Sequence, residues 1–146
     1  MWFLQPDVYD FGRSFTDVCN VPAGDYVFIE YPSTECSTVE PRPFHATTDA
    51  GLVRCARSFA PVKSSLALDG QVLSPSGSVV STGAFSFTMP ATGNFLEIPG
   101  KTGGRAAAYG QGLMLGPLTS GTHSIVRVSQ YRKSPIRAVT FQLKVS

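Results

Sequence analysis

Glu35 and Glu40 stand five residues apart on either side of Cys36, and the two histidines are His45 and His123. Two carboxyls that face each other can divide the acid and base roles of glycoside hydrolysis. An imidazole beside a carboxylate can serve as a general base or hold a metal. The plainer reading makes Glu35 and Glu40 solvated loop acids and lets His123 open a strand after the Ser120-Gly121 turn. That reading is favoured, because no further motif assembles a reaction around these groups. No Gly-x-Ser-x-Gly elbow occurs. Gly100 to Gly104 lacks the spacing and the strand–helix context of a phosphate loop. Cys19, Cys36 and Cys55 match no Cys-x-x-Cys zinc pattern, so neither a metal nor a cofactor is expected. Tyr109, Tyr131, Phe44 and Trp2 are candidates for a sugar-binding face or, equally, for packing. The ligand-binding candidates are therefore Glu35, Glu40, His45, Tyr109 and His123.

The chain has 146 residues, enough for one domain, 1–146, with a core that needs no metal. Its hydrophobic fraction of 42% argues against disorder. Only 15% of residues are charged, while Gly (14) and Pro (11) are plentiful and Ser and Thr abundant. Low charge with many turn formers and hydroxyls is the profile of an all-β domain. A net charge of +2 does not call for nucleic acid; the nearest thing to a basic patch is Arg127, Arg132, Lys133 and Arg137. No apolar run reaches the ~18 residues of a spanning helix. Met1-Trp2-Phe3-Leu4 is too short for a signal-peptide core and lacks a basic lead-in, so taken literally the chain reads as cytosolic.

The elements that must position these groups centre on Cys19 to Glu40. Val21-Pro22-Ala23-Gly24 reads as a turn, and Asp25 to Tyr31 as a central strand, apolar on both sides. Trp2-Phe3-Leu4 reads as a strand already in progress, and Gln5 to Phe15 as a loop or weak hairpin. One helix is expected from about Thr48 to Phe59, capped among Thr47, Thr48 and Asp49 and stopped by Pro61. Leu52, Cys55, Ala56 and Phe59 then share a face. Asp69-Gly70 marks a hairpin between Leu66-Leu68 and Val72. Phe85-Met89 and Phe95-Ile98 read as short strands, Lys101 to Ala108 as a mobile loop, and Leu113-Met114-Leu115 as buried. Val126 and Val128 share a strand face, and Val139, Phe141, Leu143 and Val145 alternate with polar residues, pointing inward towards residues such as Phe85 and Phe87. The fold class is mainly β: an antiparallel two-layer β-sandwich, immunoglobulin-like or jelly-roll, with one short α-helix near residues 48–59.

Trp2-Phe3-Leu4, Cys19 to Gly24 (Cys-x-Val-Pro-Ala-Gly), Glu35 to Glu40 (Glu-Cys-Ser-x-x-Glu), Cys55-Ala56, Leu66 to Gly70 and Leu115 to Ile125 (Leu-x-Pro-Leu-x-x-Gly-x-His-x-Ile) together form a pattern. It resembles a family of uncharacterised secreted bacterial proteins over nearly the whole chain, most specifically in Cys19–Glu40. The resemblance implies an extracellular location and no particular activity. Members of that family carry a signal peptide and a further cysteine ahead of the Trp-Phe-Leu segment. A start upstream of Met1, with its signal peptide there, is therefore expected. Members also have an aromatic- or His-containing stretch where this chain has Val126-Arg127-Val128.

On that basis Cys36 pairs with Cys55, tying the strand end to the helix, and Cys19 is unpaired or bonded to an upstream partner. The helix can bury its apolar face only by docking on the sheet, which carries Cys55 towards Cys36. Cys19 lies a strand's length from Cys36, about 17–20 Å. The alternative is three reduced, buried thiols. The resulting functional expectation is a secreted, non-catalytic binding module for an unknown protein or glycan, with no nucleic acid and no membrane span. Two alternatives stand beside it: a hydrolase-type enzyme using Glu35 or Glu40 with a histidine, and a structural fragment of a larger surface protein.

Overall fold

The computed structural model describes residues 1–4, 14–30, 33–74, 79–94 and 96–146. Among the described residues the protein is mainly β and sandwich-like, not a closed barrel, with one short helix. In chain order the elements are β1 (Trp2–Leu4), β2 (Phe15–Val21), β3 (Val27–Glu30), β4 (Thr34–Ser37), α1 (Asp49–Ser58), β5 (Lys63–Leu68) and β6 (Gln71–Leu73). They continue with β7 (Val79–Ser81), β8 (Phe85–Thr88), β9 (Gly103–Leu115), β10 (Gly121–Gln130) and β11 (Arg137–Val145). One sheet has five strands in the order β2-β11-β10-β5-β6; the other has six, β1-β3-β9-β4 with β7 and β8 also paired to β9. Most ladders are antiparallel, but β1 runs parallel to β3 and β2 parallel to β11.

The chain divides into two compact units: Met1–Pro32, Pro61–Ser78 and Gln111–Ser146 form one, Ser33–Ala60 and Val79–Gly110 the other. The first is the sandwich proper. Val139, Phe141, Leu143 and Val145 are 5% exposed or less, as their alternation predicts. They pack with Ile125, Leu66 and Val21 on their own sheet and with Leu4, Val27 and Ile29 of the facing strands. Phe85 and Phe87 are not their partners. Both lie on β8, and Phe85 is 42% exposed opposite Ala106 on β9. Alternation reveals that a face is buried; it carries no information about which distant strand covers it.

The Asp69-Gly70 hairpin forms between β5 and β6, with φ of 49° and 80° at its two turn residues, the positive pair that a two-residue turn requires. In the second unit α1 begins at Thr48, whose Oγ1 accepts from Gly51 N at 3.1 Å. Asp49 in its first turn and Arg57 in its last complement the helix dipole. Leu52 and Ala56, four residues apart, are buried; Leu52 packs with Cys36 and Ala107.

Three local expectations are corrected. Lys101 to Ala108 is not a loop: β9 runs from Gly103 to Leu115 and buries Ala106 and Ala107. Its small residues mark close backbone approach, since a Cβ on Gly103 would lie 2.2 Å from Phe87 O. Leu96–Ile98 is a turn, held by Asn94, whose side chain donates to Pro90 O and Ile98 O and accepts from Ile98 N. Phe95 lies outside the described residues, as do most of the Gln5–Phe15 segment and Tyr31. Met114 is 44% exposed, because the strand alternates and only Leu113 and Leu115 pack on the core.

Candidate functional site

Within the second unit, β4 carries Glu35, Cys36 and Ser37 side by side against β9. Alternation divides them between two faces. Thr34 and Cys36 turn towards α1: Thr34 Oγ1 donates to Ala56 O at 2.6 Å, and Cys36 bonds Cys55 with Cα atoms 5.9 Å apart. Tyr109, opposite Thr34, shares that face, and the Arg57 guanidinium sits 5.8 Å from its ring centroid. Glu35 and Ser37 belong to the other face. The Cys36–Cys55 pairing is as expected, and among the described residues Cys19 is the free cysteine, half-buried on β2 against the sandwich core.

After Ser37 the chain turns sharply. Ser37 Oγ donates to Glu40 Oε2 at 2.8 Å and accepts from the backbone N–H groups of Glu40 and Val39 at 3.1 and 3.3 Å. His45 returns beside Ser37, and its Nδ1 donates to the Glu40 carbonyl at 3.0 Å. Burial raises the Glu35 carboxyl above its ordinary range, and the Glu40 charge raises it further. Burial also raises Glu40, against the lowering effect of its Ser37 hydrogen bonds. The structure therefore brings Glu40 and His45 together in the turn after β4, while Glu35 stays on the strand and is linked to them through the Glu40 charge. His45 meets the Glu40 backbone rather than a carboxylate, so the proton-transfer pair required by the enzymatic alternative is not formed there.

His123 is in the other unit, on β10. Its Nδ1 lies 2.8 Å from Asp69 Oδ2, and its Nε2 lies 2.9 Å from Thr119 O. Asp69 Oδ1 accepts from Ser124 N at 2.8 Å. With an acceptor at each ring nitrogen the doubly protonated imidazolium is the form that satisfies both. The His123 ring is accordingly held above its ordinary range, chiefly by Asp69 and then by the Thr119 carbonyl. Asp69 is held below its own range, chiefly by His123 and then by the Ser124 N–H. The sequence marks Asp69 only as a turn residue and gives no sign of this carboxylate–imidazole pair; the β5–β10 register, which sets Leu68 against Ile125, joins the two.

A second unforeseen pair fixes the start of α1. Arg105 Nε and Nη2 each donate to an Asp49 carboxylate oxygen at 2.7 Å. Among the described residues no group of three or more His, Cys, Asp and Glu side chains is placed to hold a metal ion.

No protein-family model matches the chain, and no curated protein matches it. One solved structure, "Solution Structure of Amebosin", is similar at 14% identity, covering 92% of this chain and 98% of that one, with a TM-score of 0.27. A likeness at that score carries no argument about fold or function.

The outer surface of β1, β3 and β9 in the first unit presents a different kind of feature. Phe3, Phe28 and Met114 are register partners across the three strands. The Phe3 and Phe28 rings are 5.6 Å apart, and Phe3 is 66% exposed. Phe28 lies across Gly112, where a Cβ would come within 2.5 Å of the ring. The continuously apolar Tyr26–Ile29 run reads as buried on both sides, but apolar residues left exposed on one face of a sheet give the same run.

Proposed function

We propose that the chain is a secreted, non-catalytic binding module that presents the outer face of β1, β3 and β9 to a glycan or a protein. The observation carrying this reading is the row Phe3–Phe28–Met114, apolar, contiguous and supported from below by paired strands. Isolated exposed apolar residues are ordinary, whereas a row on a rigid sheet suits the apolar face of a sugar ring or a partner's side chains. Both ring nitrogens of His123 are occupied, and Glu35 and Glu40 have no imidazole on their carboxylates; this supports binding over hydrolysis. The Cys36–Cys55 bond supports an oxidising, extracellular compartment, in line with the resemblance to secreted bacterial proteins.

A glycan array probed with the wild-type protein and with the Phe3→Ser/Met114→Ser double variant tests the reading. The expected result is a set of glycans bound by the wild type and at least about tenfold more weakly by the variant, whose unfolding temperature is unchanged. Equal binding by both proteins would move the site off this face. A blank array retires the glycan half of the proposal.

A further inference from the structure

One end of the five-stranded sheet closes in a hairpin that is cationic and apolar together. β10 ends at Gln130, and β11 begins at Arg137, the register partner of Ser129. Between them Ser134 N donates to Tyr131 O at 3.0 Å, and Gln130 Nε2 donates to Ser134 O at 3.4 Å. These bonds hold Arg132 and Lys133 at the apex, where both are exposed. Lys133 takes a φ of +63°, a conformation that Gly or Asn holds at less cost. β5 starts at the same end. Lys63 is the register partner of Gln130, and Val62 N donates to Gln130 O at 2.8 Å. Val62, beside β10, and Ile136, at the foot of β11, are 54% and 60% exposed.

Among the described residues none of Lys63, Arg132 and Lys133 has an acidic partner. After Glu97 the chain has no Asp or Glu, so the two hairpin strands supply none. Of the unit's described acids, Asp25 and Asp69 are paired, and Asp17 stands opposite Phe141 in mid-sheet. The fourth is Glu30, whose charge acts on Arg127 and Tyr131. Glu30 and Arg137 have partners of their own, and the Glu30 carbonyl takes Arg127, so these three are not counted in the tip.

Exposed cations alone would suit any polyanion. Two branched aliphatic side chains beside them are a different matter, because a nucleic acid or a sulfated polysaccharide offers no apolar phase to receive them. An anionic bilayer meets both needs, with an acyl boundary for aliphatic side chains and phosphates for the cations. A lysine in the left-handed region is then explained by where it holds its charge.

We infer that this end of the sheet is a peripheral docking surface for an anionic lipid bilayer. Val62 and Ile136 enter the acyl boundary, and Lys63, Arg132 and Lys133 lie on the headgroups. The surface shares no residue with the Phe3–Phe28–Met114 row and stands or falls independently of it.

The test is sedimentation of the full-length protein with two kinds of vesicle. One is phosphatidylcholine alone, and the other is phosphatidylcholine mixed equally with phosphatidylglycerol. Binding to the mixed vesicles is expected to exceed binding to the neutral ones by about tenfold or more, and to weaken as sodium chloride is raised. A cation at an anionic surface is worth about fivefold in partitioning, so Lys133→Gln should bind the mixed vesicles about fivefold more weakly. Lys144→Gln removes the same charge near the other end of β11 and should stay within about twofold of the wild type. Val62→Ser/Ile136→Ser should lose about tenfold or more. These side chains are exposed, so the unfolding temperature of each variant should match the wild type. Phe3→Ser/Met114→Ser should bind vesicles as the wild type does, which separates this surface from the row on β1, β3 and β9. Four results would each overturn the inference: no binding to the mixed vesicles, equal binding to both kinds, equal losses in Lys133→Gln and Lys144→Gln, or an undiminished Val62→Ser/Ile136→Ser variant. Retention on a sulfated polysaccharide without vesicle binding would make the tip a polyanion site and overturn the bilayer equally.

Discussion

At the scale of single residues, His123 shows how a surface side chain gains weight through its partners. Only 15% of its side chain is exposed, and both nitrogens have acceptors. Because its folded-state pKa is raised, its stabilising effect is complete below the ordinary value of 6.5. That effect is lost as pH rises through the raised, folded value. Asp69 behaves oppositely: its contribution is present above 3.8 and lost as pH falls through its depressed value. Urea midpoints of the wild type and His123→Gln should therefore differ most in mildly acidic buffer and converge as pH rises past the imidazole transition. A difference that grows with pH would mean that the imidazolium is not the stabilising form. Phe141 is the complementary case, a large ring 1% exposed with no polar role. Phe141→Ala should cost about 3–5 kcal/mol in denaturant unfolding, the usual range for a buried aromatic truncation. A loss below about 1 kcal/mol would contradict its position in the core.

At the scale of elements, β9 and α1 carry the second unit. The strand's small residues are a packing requirement. A Cβ at Gly103 would meet Phe87 O at 2.2 Å and Thr88 Cα at 2.9 Å, both backbone, and φ there is +148°. Gly103→Ala should then destabilise by about 1–3 kcal/mol, the scale of an unrelieved overpacking clash. Gly116→Ala, with nothing within 4 Å of its Cβ, serves as the matched control and should cost much less. Equal effects at the two positions, by thermal unfolding, would remove the close-approach account of this strand. For α1, the bond between Cys36 and Cys55 closes a 19-residue separation. Cys36→Ser/Cys55→Ser should lower stability by about 3 kcal/mol on the chain-entropy scale. Peptide mapping without reductant should recover the two cysteines in one linked pair, with Cys19 alkylated separately.

At the scale of the whole molecule, the chain builds two cores of different character. Among the described residues, ten buried ones form the first, from Leu4 to Val145, whereas Cys36, Leu52 and Ala107 form the second. The smaller core depends more heavily on its covalent link. Reduction of the disulfide should therefore speed amide exchange at Leu52 and Ala107 far more than at Ile125 and Phe141. Uniform acceleration at all four amides would show a single cooperative unit instead. Sequence alone determined the features that depend on near neighbours. The Asp69-Gly70 turn follows from local dihedral preference, α1 from a cap and four-residue spacing, and the inward set Val139 to Val145 from strict alternation. The Cys36–Cys55 pair was legible for a related reason, since an amphipathic helix has only its apolar face to dock. Tertiary structure alone decided what depends on register between distant strands. It made Gly103–Leu115 a strand, joined His123 to Asp69 across 54 residues, and aligned Phe3, Phe28 and Met114. It also set Val62 and Lys63 beside the Tyr131–Ser134 turn. Glycine and alanine carry no outward pattern, and strand pairing is set by summed packing over a whole sheet, so no window of the sequence contains it.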